Sequence, residues 1–406
     1  MRWPFAQKRS TLLASDVNET SQSPSTRFAF KLFRELVAED GSNLFFPPAS
    51  VMLCLAMVYE VSSGETRQSM AKALEIAGLG PVDVKLAIDA LKAVFQRREH
   101  VEILGANSLW CSAHAQVRSE CLAKIKDLYD AEPVSLDFAS PDAVPTINAW
   151  VNEKTQGKIS RILDVLHPLA ALVAVNAIYF KGRWTKAFQR ELTRDGLFTT
   201  ATGQQKQLPM MCEFGTYLYC EDSHSQAVVL PYDGGMTMHV ILPAERTDVR
   251  HFQKRLTSGA WESYLSRFDN LPGMIQMPRF KLDWRAPIEP ALKAMGMERA
   301  FDPKRAELAG IQTEYPPVWI DQVLHRAVAE VNEEGTEAAA ATIVLVRCGS
   351  SQNERRGRDF RMVINRPFLV AIRDGRTGTI LFMGWVGDPG KASPSLPGST
   401  SKSLDR

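Results

Sequence analysis

The side chains that most often carry chemistry are thinly spread in this chain. Seven histidines, His100, His114, His167, His224, His239, His251 and His325, stand at no spacing from one another or from a carboxylate that would make a catalytic pair or a metal-ligand set. The six cysteines, Cys54, Cys111, Cys121, Cys212, Cys220 and Cys348, include no C-x-x-C pair, and nothing in their positions demands a disulfide. No G-x-S-x-G elbow, Walker A loop, H-E-x-x-H pair or G-x-G-x-x-G turn occurs. No metal, cofactor or enzymatic active site is therefore expected. Two of these residues have structural readings instead: Cys54, inside VMLCLAMVY, as a buried free thiol, and His325, inside VLHRAVAEV, as a hydrogen-bonded core histidine.

The unusual chemistry lies in residues 333–366, a stretch suited to being acted upon. It opens with Glu333, Glu334, Gly335, Thr336 and Glu337, and passes through Ala338, Ala339, Ala340 and Ala341 into Thr342, Ile343 and Val344. Beyond that it dissolves into Gly, Ser, Asn and Arg. Small and β-branched residues suit a sheet, whereas 348–358 reads as an exposed turn that a protease can grip. Alternate residues of a strand face opposite sides. Thr336, Ala338, Ala340 and Thr342 therefore form one small-residue set, and Glu337, Ala339, Ala341 and Ile343 the other. The segment is a strand in waiting joined to a bait.

The elements that must position it can be read from the apolar pattern. With 45% hydrophobic and 23% charged residues the chain can bury a large core, and a net charge of +2 points to neither nucleic acid nor an anionic membrane as partner. No apolar run is long enough for a membrane span. Ala29, Leu32, Phe33, Leu36 and Val37 predict an amphipathic helix within 24–40. After Pro47 and Pro48, the run 50–58 is apolar on nearly all sides and predicts a central helix with Ser50 as its N-cap. Surface helices are expected at 64–74, 82–98, 118–130 and 142–155, and strands at 101–110 and 172–180, where the buried Asn176 needs partners on neighbouring elements. Strands dominate from Leu197 on, with a hairpin over 228–243 turning at Asp233, Gly234 and Gly235. Helices at 251–268 and 288–295, a strand at 277–282 and a final strand pair at 367–373 and 379–386 complete the pattern. Residues 1–24 and the Ser/Pro-rich 390–406 are expected to be disordered, and Asn18 opens an N-x-T glycosylation triplet. Helices come first and sheet later, without βα alternation, so the class is α+β.

Nine blocks taken together resemble one family, the serpins. They are NLFFPPASVMLCLAMVYEVSSGET, ANSLW, NAWVNEKTQGKI, LVAVNAIYFKGRWTKAF, PMM, VVLPYDGGMTMHVILP, MPRFKLDWRAPIEPALKAMGMERAF, VLHRAVAEVNEEGTEAAAAT and RPFLVAIRDGRTGTILFMGWVGDP, in family order over nearly the whole chain. The resemblance implies a single domain over 25–389, three β-sheets with about eight or nine α-helices, and an exposed reactive-centre loop near 333–360. It further implies that a target serine protease cleaves the loop and is held as an acyl-enzyme while the freed hinge inserts into the central sheet. A hinge of Gly335, Thr336 and four alanines suits an inhibitor. The other implied readings are a non-inhibitory binding or carrier protein and an inhibitor of a cysteine protease. Ser50, Asn176 and His325 match the family's polar cluster under the sheet, the shutter. Trp184, Arg279 and Glu333 match its breach, where the loop enters. The family usually has Ser-Pro where this chain has Pro47 and Pro48, so one hydroxyl of that cluster is missing.

The family's spacing places the scissile bond between Gly349 and Ser350, suiting an elastase-like pocket, whereas side-chain chemistry offers Arg347 and Cys348 to a trypsin-like one. Arg355 and Arg356 make a third, weaker target. Arg355, Arg356 and Arg358 form a basic cluster that an acidic exosite would fit, and Cys348 beside the bond is open to oxidation. A monomer that acts covalently on its target is implied. The resemblance favours an extracellular site of action, although the first two dozen residues lack the apolar core of a secretory signal.

Overall fold

Ser23 and Pro24 set where the first helix starts. The computed structural model describes residues 22–336 and 359–390, apart from positions 97, 130, 132, 169, 246 and 314–317. Helix α1 (Pro24–Leu36) opens with a proline, whose missing N–H costs nothing at that position, and the Ser23 hydroxyl accepts from the Thr26 N–H at 3.2 Å. The helix thus begins at Pro24 and ends at Leu36, short of the expected 40, where Val37 turns to extended backbone. The rest of the N-terminal segment, with the Asn18 triplet, and the tail from 391 lie outside the described residues.

Helix α2 (Pro48–Val61) is buried at every residue except Tyr59. A helix with no polar stripe must be covered on all sides. It lies between two sheets, packed against β2 (Val101–Ser112) and β5 (Leu172–Arg183) of one and β17 (Ile380–Val386) of the other. The first sheet has the order β11 (Phe280–Arg285), β13 (Ile320–Asn332), β14 (Gly335–Thr336), β5, β2 and β4 (Val134–Leu136). The second runs β1 (Leu44–Phe46), β17, β16 (Phe368–Asp374), β9 (Met236–Pro243), β8 (Ser225–Pro231), β7 (Gln205–Glu221), β10 (Asp269–Pro278) and β15 (Phe360–Val363), with β6 (Arg194–Thr199) also on β7. A third, small sheet joins β3 (Ala115–Val117) to β12 (Ile311–Thr313). Around them lie α3 (Gly64–Ala73), α4 (Pro81–Ala93), α5 (Ser119–Tyr129), α6 (Ala143–Lys154), α7 (Val249–Arg255), α8 (Ser258–Arg267) and α9 (Glu289–Leu292). The α+β class and three-sheet architecture expected of the sequence are what the chain adopts.

Some expected boundaries move, each for a local reason. The helix expected over 251–268 is two, because the chain turns extended at Leu256 and Thr257, whose hydroxyl caps α8 through Ala260 N. The helix expected over 288–295 keeps only α9 as regular α-helix and widens into a π-type turn over Lys293–Met297 that closes at Gly296, φ +99°. The strand expected over 277–282 breaks at Pro278 and Arg279, so β10 and β11 belong to different sheets. Helix α4 stops at Ala93 rather than 98. Ser50 is not an N-cap: it lies inside the first turn of α2 and aims its hydroxyl at the sheet, while Pro47 holds the cap position without a side-chain hydrogen bond. The β8–β9 hairpin does turn on Gly234 and Gly235, at φ +67° and +79°.

Two strands at the middle of the first sheet, β13 and β5, pair directly over part of their length only. They run in parallel from Ile320 opposite Leu172 to Val328 opposite Tyr179. Above that the chain reverses, and β14 wedges between them, antiparallel to both: Thr336 opposes Val331 and Gly182, and Gly335 opposes Asn332 and Arg183. The sheet is closed below and parted above.

Candidate functional site

One rung crosses the closed part of the sheet. Asn107 on β2, Asn176 on β5 and His325 on β13 are direct neighbours in register, and Ser50 reaches up to them from α2. The Asn176 amide donates to Ser50 Oγ and Asn107 Oδ1, both at 2.7 Å. Ser50 donates to Asn107 Oδ1 at 2.8 Å. Asn176 Oδ1 faces His325 Nδ1 at 3.0 Å, so that nitrogen carries the proton. Ser50 and Asn176 are fully buried and His325 nearly so. Burial takes the His325 pKa from 6.5 down to about 3, leaving a neutral imidazole. The rung therefore holds four polar groups and no charge. Sequence reasoning named Ser50, Asn176 and His325 but missed Asn107; the signal available was the amide of ANSLW within the strand expected over 101–110.

The parted end is built from charge and aromatic rings. Pro278 ends β10, which leaves Arg279 at the crossover between sheets, its N–H on Pro209 O at 3.1 Å. From there its guanidinium meets Glu333 through Nε at 2.9 Å to both oxygens and Nη2 at 2.7 Å to Oε1. Thr193 adds a hydroxyl to the same oxygen at 2.6 Å. Burial pushes the Glu333 carboxyl up, but the hydrogen bonds from Arg279 and Thr193 outweigh it and hold the pKa below the usual 4.5. Arg190 pairs with Glu334 beside it. Trp184 donates its indole N–H to Asn332 O and its backbone N–H to Glu334 O, both at 3.0 Å, and stacks on Tyr232 at 4.1 Å. Tyr232 in turn shares a 2.6 Å hydroxyl bond with Thr336, which is fully buried.

Gly335 fits where no other residue would. Its φ is +153°, and a Cβ there would stand 2.0 Å from the Gly182 carbonyl oxygen. The expected breach residues Trp184, Arg279 and Glu333 are thus gathered at the point where β14 enters, together with Thr193, Arg190 and Tyr232, which sequence reasoning did not name. Of the expected hinge, Glu333, Glu334, Gly335 and Thr336 are described, whereas Glu337, Ala338, Ala339, Ala340, Ala341 and Thr342 lie outside the described residues. So do both bonds, Gly349 to Ser350 and Arg347 to Cys348, and the Arg355, Arg356 and Arg358 cluster.

Neither cluster makes a catalytic constellation. Among the described residues no group of three or more His, Cys, Asp or Glu is placed to hold a metal, and no helix is long and apolar enough to cross a membrane. Cys54, Cys111, Cys121, Cys212 and Cys220 are unpaired thiols, and burial drives Cys54 up to about 12.

The chain matches known proteins along its length. The family model for serpins, serine protease inhibitors, matches residues 23–389. Human serpin B8 is 36% identical over 373 residues, covering 89% of this chain and 97% of its own. The leukocyte elastase inhibitor of Bos taurus is 34% identical over 389 residues, covering 91% of this chain and all of its own. Among solved structures, the native state of the thermophilic serpin tengpin superposes with a TM-score of 0.84 at 26% identity, covering 93% of this chain and 96% of its own. A chain that carries a two-residue strand wedged into its central sheet, under a family match of this extent, belongs to the serpin family.

Proposed function

We propose that this serpin inhibits a serine protease as a suicide substrate, its cleaved loop inserting between β5 and β13 while the protease remains esterified. The observation that carries the reading is the seating of Gly335 and Thr336 between those two strands, antiparallel to both. A strand that continued from Thr336 would replace one parallel ladder with two antiparallel ones, a net gain in backbone pairing. Extending the register of Thr336 opposite Gly182 one residue at a time puts Ala340 opposite Ile178, Thr342 opposite Asn176 and Val346 opposite Leu172.

The side chains suit that path. Thr336, Ala338, Ala340 and Thr342 would face the α2 side with Ile178 and Phe180, where only small residues enter without displacing packed ones. Thr342 would arrive on the rung of Asn107, Asn176 and His325. Separating β5 from β13 breaks the bond between Asn176 and His325, and the Thr342 hydroxyl, able to donate and accept, can serve both groups left behind. Leu172 marks the foot of the β5 ladder. A bond between Gly349 and Ser350 leaves three residues past Val346 to carry the acyl carbonyl clear of the sheet, and one between Arg347 and Cys348 leaves a single residue. We therefore assign Gly349 to Ser350 as the reactive bond, with a small-residue, elastase-like specificity, in keeping with the elastase inhibitor among the relatives. The acceptor is the protease serine; this chain supplies a substrate carbonyl and a moving strand.

Incubation with elastase-like, trypsin-like and papain-like proteases, followed by denaturing electrophoresis, tests the reading. The expected result is an SDS-stable complex with an elastase-like enzyme and a released fragment beginning at Ser350. A fragment beginning at Cys348 reassigns the bond, and cleavage of the loop without any stable adduct overturns inhibition in favour of a binding or carrier role.

A further inference from the structure

β15 begins directly beyond the reactive loop, and one side of it faces an open cleft of about 540 Å³. Phe360, Met362 and Ile364 turn inward and are buried, which leaves Arg361, Val363 and Asn365 along the cleft, closed at one end by Arg366. The opposite walls are the turn 222–226 into β8 and residues 244–245 beyond β9. The backbone at Arg361 is fixed, paired to Met274 on β10 and held by Gln226 Nε2 on its carbonyl at 3.1 Å.

The charges lining this cleft do not cancel locally. Asp222 is committed elsewhere: Oδ2 accepts from Arg267 at 2.7 Å and Oδ1 from the backbone N–H groups of His224 and Ser225 at 2.8 and 2.9 Å. Arg366 is mostly buried, yet its Nε and Nη1 meet only neutral acceptors, Pro243 O at 2.8 Å and Asn365 Oδ1 at 3.0 Å. Its one acidic neighbour, Glu245, stands 3.9 Å away with a side chain 79% exposed. Burial pulls the Arg366 pKa below its ordinary value, and Glu245 offsets only part of that. Arg361 has no ion-pair partner among the described residues. Arg361 therefore offers the forked donors that carboxylates and phosphates accept, and Arg366, its Nε and Nη1 already bonded and the exposed Glu245 its one acidic neighbour, adds positive charge to the same cleft.

We infer that this cleft binds an oxyanion, a carboxylate or phosphate group, between Arg361 and Arg366 at the distal root of the reactive loop. The group has two sources, a free small anion or an acidic segment of another protein. Neither source depends on the protease-trapping reading, because binding is measured on the uncleaved protein alone.

Calorimetric titration of the full chain with inorganic phosphate, succinate and an octaglutamate peptide, each against sodium chloride at matched ionic strength, tests it. Saturable binding of phosphate or succinate identifies a free anion, and binding of the peptide alone identifies an acidic protein segment. In either case Arg361→Gln should weaken binding about tenfold, the loss of one charge-assisted contact. Because Arg361 is exposed, that variant should keep the wild-type thermal midpoint. Arg366→Gln should abolish binding, and Arg361→Gln alone decides the matter if Arg366→Gln does not fold. Binding by none of the three probes, or binding equal in wild type and Arg361→Gln, overturns the inference.

Discussion

The two clusters on the first sheet hold the same pair of strands by opposite means. In the closed half, Ser50, Asn107, Asn176 and His325 are joined by neutral hydrogen bonds, and all but the partly buried Asn107 are shut off from water. In the parted half, Glu333 is held by Arg279, whose side chain is 45% exposed. A neutral buried network is costly to break because each lost bond leaves a polar group without water. The pair at the top, its carboxylate buried and its guanidinium open to solvent, is screened by salt from one side. Resistance to strand separation is therefore concentrated in the middle of the sheet, while the top is a latch that salt can loosen. A loop that enters from the top meets the weaker barrier first.

That contrast can be broken most severely at the wedge itself. Thr336→Arg puts a cation where the native side chain is fully buried against Tyr232. Burying an unpaired charge costs several kcal/mol, so the proportion of encounters ending in a stable complex should fall at least about a hundredfold, with the loop still cleaved. Gel quantitation of complex against cleaved chain reads this directly. Unchanged complex formation would separate inhibition from insertion.

The middle rung should give the next largest effect. Asn176→Ala removes the donor to Ser50 and Asn107 and the acceptor for His325 together, and should lower stability by about 3 kcal/mol in urea unfolding. Glu333→Gln should cost about 1 kcal/mol and lose most of that cost in high salt, where Asn176→Ala keeps its own. Equal salt sensitivity of the two variants would erase the distinction between the halves.

Acid separates them again. The His325 pKa falls from 6.5 to about 3 on folding, so the unfolded chain takes up a proton that the folded one refuses, and stability drops as the pH falls below 6.5. Glu333, whose folded pKa lies below 4.5, contributes stability above that value and loses it only as the pH falls further. Between pH 6.5 and 4.5 the slope of stability with pH should therefore decrease by roughly 1 kcal/mol per pH unit in His325→Gln and not change in Glu333→Gln. His239, also buried and lowered to about 3, adds the same slope to all three proteins and cancels in the difference. The smallest effect is expected at Thr342. If its hydroxyl joins the middle rung after cleavage, Thr342→Val should lower the stability of the cleaved form by about 1 kcal/mol and leave the uncleaved form as it was.

Local pattern carried a long way in this chain. The run from Ser50 to Val58 has no polar face, so it had to be covered on every side, and it is. The Asp-Gly-Gly turn required positive φ, and both glycines have it. Gly335 and the four alanines after it are the small residues on which the proposed insertion rests, and the family resemblance rests on such stretches. Where local rules compete, the pattern faltered. Pro278 lies within an apparently continuous strand, and a period of 3.6 does not reveal that the chain kinks between α7 and α8.

Other features depended on strand order and register, which no short window of sequence encodes. Asn107 and Asn176 share a rung only because β2 and β5 pair at that register, and His325 completes it only because β13 lies on the other side. Arg279 meets Glu333 because a proline sends one strand into a second sheet. Arg361 and Arg366 read as two more cations in a basic stretch until the turn at Asp222 and the end of β9 close a cleft around them. Residue types determined what this protein can do. Hydrogen-bond partners, being long-range and specific to one register, were decided by the tertiary structure alone.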